Sequence, residues 1–249
     1  MGFGIDCSLN CFFAIDAKKI FLKTWRISTA ASSSLWSNNI CNNSNILLSR
    51  IMSFEEIRVV CVVYVSALAP LMYLIYKRDT LPTSVLSLYA CIFIACAFGW
   101  ELWFTYGWID GDPVDIRRSA ALNIWLPQNI NWLMNSLADA GTIGLGGLYL
   151  TWLLCSRDNA IFIRWSWRAF SIFMLWCVAQ NIGVEMFLYH DQLAEGKMLS
   201  WAPLAPFGSY YNPELFSFNG RRIMFQTQIP WIILPAIIYK GAIFFNKET

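Results

Sequence analysis

The chain has 249 residues, 57% of them hydrophobic and 14% charged, with a net charge of +2. With a mean hydropathy of +0.47, this excludes an ordinary water-soluble domain, in which charged residues approach a quarter. The near-balanced charge shows no cation cluster of the kind nucleic acid requires. Apolar runs of about 20 residues predict an all-α integral membrane protein, not a barrel of short alternating strands.

Residues 1–52 differ from the rest. They are rich in Ser and Asn and carry Lys18, Lys19, Lys23, Arg26 and Arg50 against two acids. A basic, serine-rich, acid-poor stretch fits a targeting segment, and equally an extension upstream of a start at Met52. Residues 53–249 form the transmembrane domain. Ser53-Phe54-Glu55-Glu56 opens it as a capping box.

Five spans are expected after Met52, at about 57–76, 84–108, 129–154, 169–189 and 222–245, rising to seven if shorter segments also cross. Pro70 is placed to kink the first, and Pro230 and Pro235 lie in the fifth. Residues 109–128 and 155–168 read as loops. Residues 190–220, rich in Trp, Pro, Tyr and Phe, read as an interfacial segment or a lid, or as a plain surface loop. Lys and Arg divide evenly between the two faces, so the orientation in the bilayer stays open.

Polar groups interrupt the apolar spans. Glu101 lies in the second. Asn131, Asn135 and Asp139 follow one face of the third at four-residue spacing. Asn181 and Glu185 repeat that spacing in the fourth, and Arg222 and Gln226 are expected to share a face of the fifth. A carboxyl group in a membrane interior costs roughly 2.5–3.5 kcal/mol even on the mildest scale. At least one of Glu101, Asp139 and Glu185 is therefore expected to be protonated, as a Brønsted acid must be. The bland alternative is that these groups only bind the helices together. Ser136, Ala140 and Gly144 at four-residue spacing are explained by close packing alone.

Thirteen tryptophans are present. Trp100, Trp103 and Trp108 flank Glu101, while Trp132 and Trp176 lie on spans that bear acids. Aromatic belts account for those near span ends. Rings at mid-depth suit a carbocation, by about 2 kcal/mol when desolvated. In the loop IDGDPVDIRRS, Asp110, Asp112 and Asp115 precede Arg117 and Arg118. A solvated turn is the first reading and a Mg²⁺–diphosphate site the second. Eight dispersed cysteines and a single His190 form no metal or disulfide pattern, and neither a metal nor a cofactor is expected.

Trp100-Glu101, late in the second span of a small Trp-rich helical protein, resembles the fungal-type membrane-bound terpene cyclases of meroterpenoid and indole-diterpene pathways. The resemblance covers about residues 84–108. It implies that Glu101 protonates an epoxide or alkene to start a polyene cyclisation, with Trp100 as its motif partner. The family has seven spans and a second essential acid, an aspartate, in its last helix. This chain shows five spans, and residues 223–245 contain no acid. Asp139 or Glu185 is our own candidate for that second role.

The function expected is thus an acid-initiated cyclase or isomerase of a lipophilic isoprenoid or sterol-like molecule. Glu101, Asp139 and Glu185 are the catalytic candidates, and Trp100, Trp103, Trp132, Asn135, Trp176 and Asn181 the substrate-binding ones. A sterol isomerase of the emopamil-binding type is a variant of the same chemistry. The alternatives are a small proton- or cation-coupled carrier and a non-enzymatic membrane subunit. In a eukaryote the endoplasmic reticulum is the expected membrane.

Overall fold

The computed structural model describes residues 52–107, 112–197 and 210–247. The proposed extension or targeting segment lies outside the described residues, as do Trp108, Asp110 and the Pro/Trp-rich stretch before Tyr210.

The described chain is mostly helical. Helix α1 (Phe54–Lys77) starts on the expected capping box: Ser53 Oγ accepts from Glu56 N, and the Glu56 carboxylate accepts from Ser53 N at 2.7 Å. Helix α2 (Thr83–Phe98) is followed by α3 (Trp100–Tyr106). Two short helices follow, α4 (Val114–Arg117) and α5 (Ala120–Trp125). Helix α6 (Gln128–Ala138) runs through a π-helical segment (Asp139–Leu145) into α7 (Gly146–Leu154). Helix α8 (Trp167–Val184) likewise ends in a π segment (Glu185–Tyr189). A hairpin of β1 (Glu214–Phe218) and β2 (Arg221–Met224) leads into α9 (Phe225–Lys247).

Among the described residues, four helices are long and apolar enough to cross a membrane: Phe54–Lys77, Gln128–Leu154, Trp167–Tyr189 and Phe225–Lys247. A fifth is counted if α2 and α3, bent by 42°, form one span. The five expected segments are therefore present, but the second is broken. Gly99 is the break. A Cβ there would sit 2.4 Å from the Ala95 carbonyl oxygen, so the bend needs a residue without a side chain.

The structure departs from the sequence reading at the start of the fifth span. Arg222 belongs to β2 and is not on a helix face with Gln226. Asn219 and Gly220, both at positive φ, form the turn that joins two antiparallel strands. The 109–128 segment likewise contains helices α4 and α5.

A buried core of Leu88, Ile92, Leu148, Phe173, Trp231 and Ile238 unites α2, α7, α8 and α9. A smaller cluster sets Ala67 of α1 against Met134 and Ala138 of α6. Outward-facing positions are apolar too, among them Val65, Met72, Leu175 and Ile237, the reverse of a water-soluble bundle. The kink at Pro70 is managed locally. Proline frees the carbonyl of Ser66 one turn back, and Thr142 Oγ1 donates to that oxygen at 2.7 Å. Gly141 makes the approach possible, since a Cβ there would lie 2.6 Å from the Pro70 ring.

Candidate functional site

Each of the three acids stands at an irregularity of its helix. Glu101 follows the Gly99 break, Asp139 opens the first π segment, and Glu185 opens the second. Inserted π turns widen a helix and recur at functional positions.

Glu101 and Asp139 are brought together. Glu101 is buried, with the Asn135 amide and the Trp100 indole as side-chain hydrogen-bonding neighbours. Asp139 has the same Trp100 indole and the Cys96 thiol as its neighbours, and Glu101 within electrostatic reach. One oxygen of each carboxyl group, Glu101 Oε2 and Asp139 Oδ2, is buried without a hydrogen-bond partner.

Glu185 is different in kind. Its Oε2 accepts from Thr227 Oγ1 at 2.6 Å and Gln228 Nε2 at 2.5 Å, and its Oε1 accepts from Met224 N at 3.1 Å. Asn181 completes the cluster, donating to Thr227 O at 2.9 Å and Gln228 Oε1 at 2.8 Å. Glu185 thus binds α8 to the start of α9, with both of its oxygens engaged.

Two residues that the sequence reading passed over complete the centre. Arg117, expected in a solvated turn, is 1% exposed. It donates to Phe104 O at 2.6 Å, stacks over the Phe104 ring at 4.2 Å, and interacts electrostatically with Glu101. Burial pulls its guanidinium down to about 10, so it is still a cation at neutral pH. Arg117 is thus the cation beside Glu101. Arg118 is buried as well, bonded to Asn123 Oδ1 at 2.7 Å, Asn131 Oδ1 at 3.0 Å and the Leu126 carbonyl. Within the described part of the loop, Val114, Arg117 and Arg118 are therefore packed into the protein and are not part of a solvated turn. No group of three or more potential metal ligands occurs among the described residues.

The second residue is Tyr189, at the end of the π segment and one turn from Glu185. It lies within electrostatic reach of Glu101, Asp139, Glu185 and Arg117, and its ring packs on Phe104 at 4.7 Å. A four-residue spacing from Glu185 was the available signal.

A small cavity of about 20 Å³ is lined by Trp100, Phe104, Asn181, Tyr189, Thr227, Pro230 and Trp231. Trp100 and Trp231 meet edge to face at 5.1 Å. Of the expected binding residues, Trp100 and Asn181 reach this cavity. Trp132 donates to Ala97 O at 2.7 Å, and Trp176 donates to Ile143 O at 3.2 Å while packing on Gly147. Those two tie helices together away from the lining. Trp103 is partly buried on α3, also away from the lining.

Asp191 is held between Arg58 and Arg221. Both arginines also donate to carbonyls of the second π segment, Arg58 to Phe187 O and Arg221 to Met186 O. The widened turn is thereby capped by two cations at a helix C-terminus.

Compared with family models, curated proteins and solved structures, the chain finds no match in any of the three.

Proposed function

We propose that this protein is an integral, multi-pass membrane enzyme that isomerises or cyclises a lipophilic isoprenoid by protonating it. The observation that supports this reading is the Glu101–Asp139 pair, sharing one indole and holding one unpartnered oxygen each. Two carboxyl groups in an apolar interior do not both ionise, so the pair retains a transferable proton. This is the arrangement by which two acids divide the roles of donor and partner.

Glu101 transfers its proton to an epoxide oxygen or an alkene carbon of the substrate. The C–O bond opens, or the π bond is consumed, and a carbocation forms. Arg117 faces the carboxylate left on Glu101. Trp100 and Trp231, both on the cavity wall, offer their rings to the cation. Attack by further alkenes closes rings, and loss of a proton to the ionised Asp139 ends the sequence. The product is an isomer of the substrate, and no electrons are exchanged. At about 20 Å³ the cavity holds a water molecule, so an isoprenoid requires it to widen. Four of its seven lining residues are aromatic.

The apolar outward faces and long apolar helices support placement in a bilayer. A carrier would need the acids to communicate with both faces, whereas Asp139 backs onto the packed core of Ile92 and Gly144.

The test is turnover by the full chain in membranes with epoxidised and plain prenylated substrates. The expected result is a product of unchanged mass that disappears in Glu101→Gln. No such product from a folded protein across a broad panel, or a product that persists in Glu101→Gln, overturns the reading.

A further inference from the structure

We infer that a seam of buried polar groups between α3 and α6 holds a chain of water molecules that carries protons between Glu101, Asp139 and the loop-bearing end of the bundle. On α3, Glu101 and Thr105 are one turn apart. On the facing helix, Asn131, Asn135 and Asp139 follow at one-turn spacing. α3 packs on α6, so the two stripes meet.

Four atoms along the seam are buried without a hydrogen-bond partner: Asp139 Oδ2, Glu101 Oε2, Thr105 Oγ1 and Asn131 Nδ2. Their residues are 7%, 2%, 0% and 2% exposed. Buried polar atoms are seldom left unpaired, and bound water commonly completes those that are. The spacing suits this. One helical turn rises about 5.4 Å, close to the length of two hydrogen bonds placed end to end. One water is thus the length of bridge that a one-turn spacing calls for.

The seam borders exposed groups at its loop end alone. At the loop end, Gln128 Nε2 donates to Thr105 O at 3.1 Å, and the exposed Tyr106 hydroxyl donates to Asn129 Oδ1 at 2.8 Å. At the inner end, Asp139 meets the Cys96 and Cys177 thiols. Beyond it Ile92 closes on Gly144, where even a Cβ would be 3.0 Å from the isoleucine side chain. The other titratable groups facing the pair, Arg117 and Tyr189, approach Glu101 from outside the seam. Protons therefore enter and leave by the loop end. The inference concerns proton exchange alone and holds whatever the substrate is.

The full chain in lipid nanodiscs, without substrate, is transferred to D₂O, and the carboxylic C=O stretches are followed by infrared spectroscopy. Bands lost in Glu101→Gln and Asp139→Asn are assigned to these two acids. Thr105→Val is the informative variant. It keeps the shape and removes a hydroxyl that has no protein partner, so no bond is lost. The expected result is slowing of carboxyl exchange by about tenfold, the loss of one hydrogen-bonded link, with Thr105→Ser exchanging as the parent does. Equal rates in Thr105→Val and the parent overturn the inference. So do parent carboxyl bands that do not exchange at all. If Thr105→Val does not fold, Thr105→Ala gives the same reading. Because no substrate is present, a protein without turnover still gives a decisive result here.

Discussion

Glu101 and Asp139, from different helices, have the same Trp100 indole as a hydrogen-bonding neighbour. The one indole thus neighbours both carboxyl groups, and its ring forms part of the cavity wall. Trp100→Phe keeps that wall and removes the N–H. A hydrogen bond to a charged group is worth about 1.5–3 kcal/mol, so turnover should fall about ten- to a hundredfold. Product formation by folded protein measures it.

Glu101→Gln and Glu185→Gln make the same chemical change in opposite settings. Glu185 is satisfied by three donors, and an amide NH₂ turned towards them leaves donors facing donors. Glu185→Gln should lower stability by about 1–3 kcal/mol. Glu101 has an oxygen with no partner, so Glu101→Gln should change stability by less than about 1 kcal/mol while removing the acid. Thermal unfolding in detergent compares them.

Gly99→Ala places a methyl group against the Ala95 carbonyl oxygen at 2.4 Å. The α2–α3 bend must then shift, at a cost of about 1–3 kcal/mol. Turnover should fall further than the lost folded fraction accounts for, since Trp100 and Glu101 directly follow the bend.

Thr142 and Pro70 should be coupled. Thr142→Val strands the Ser66 carbonyl and should cost about 1–3 kcal/mol. In a Pro70→Ala background the helix supplies its own N–H to that carbonyl, and the same substitution should cost much less. A double-mutant cycle on unfolding free energy reads the difference.

His190 lies beyond the end of α8. Burial lowers its pKa, with Arg221 and Arg222 adding to that effect, while a contact to Arg222 O at 3.3 Å and Asp191 oppose it. A histidine with a depressed folded pKa binds its proton later in the folded state than in the unfolded one. Its contribution is therefore present above the unfolded value near 6.5 and is lost as pH falls through the folded value. The parent should lose more stability than His190→Gln between neutral and mildly acidic pH. Equal losses would show that His190 has no part in it.

Much of the helical frame was legible in the sequence because hydropathy, run length and four-residue spacing are local properties of a helix. The apolar segments, the capping box at Ser53, the inward stripe Asn131–Asn135–Asp139 and the pairing of Asn181 with Glu185 all follow from one-dimensional patterns. The Asn219-Gly220 hairpin was also legible, through its turn dipeptide between apolar positions, but it was absorbed into an interfacial segment and a span. Other features depend on groups far apart in the chain. Arg117 is buried because the bundle end offers it the Phe104 carbonyl and the Glu101 carboxyl group. Glu185 becomes a structural tie because α9 delivers Thr227 and Gln228 to it. Asp139 reaches Trp100 because a break at Gly99 and a widened turn bring two helices into register. Local pattern alone sets the long apolar helices and which of their faces are polar. Only the tertiary structure decided which acids meet and which are left with an unpartnered oxygen, because a hydrogen bond is made or missed over fractions of an ångström between segments whose separation along the chain carries no such information.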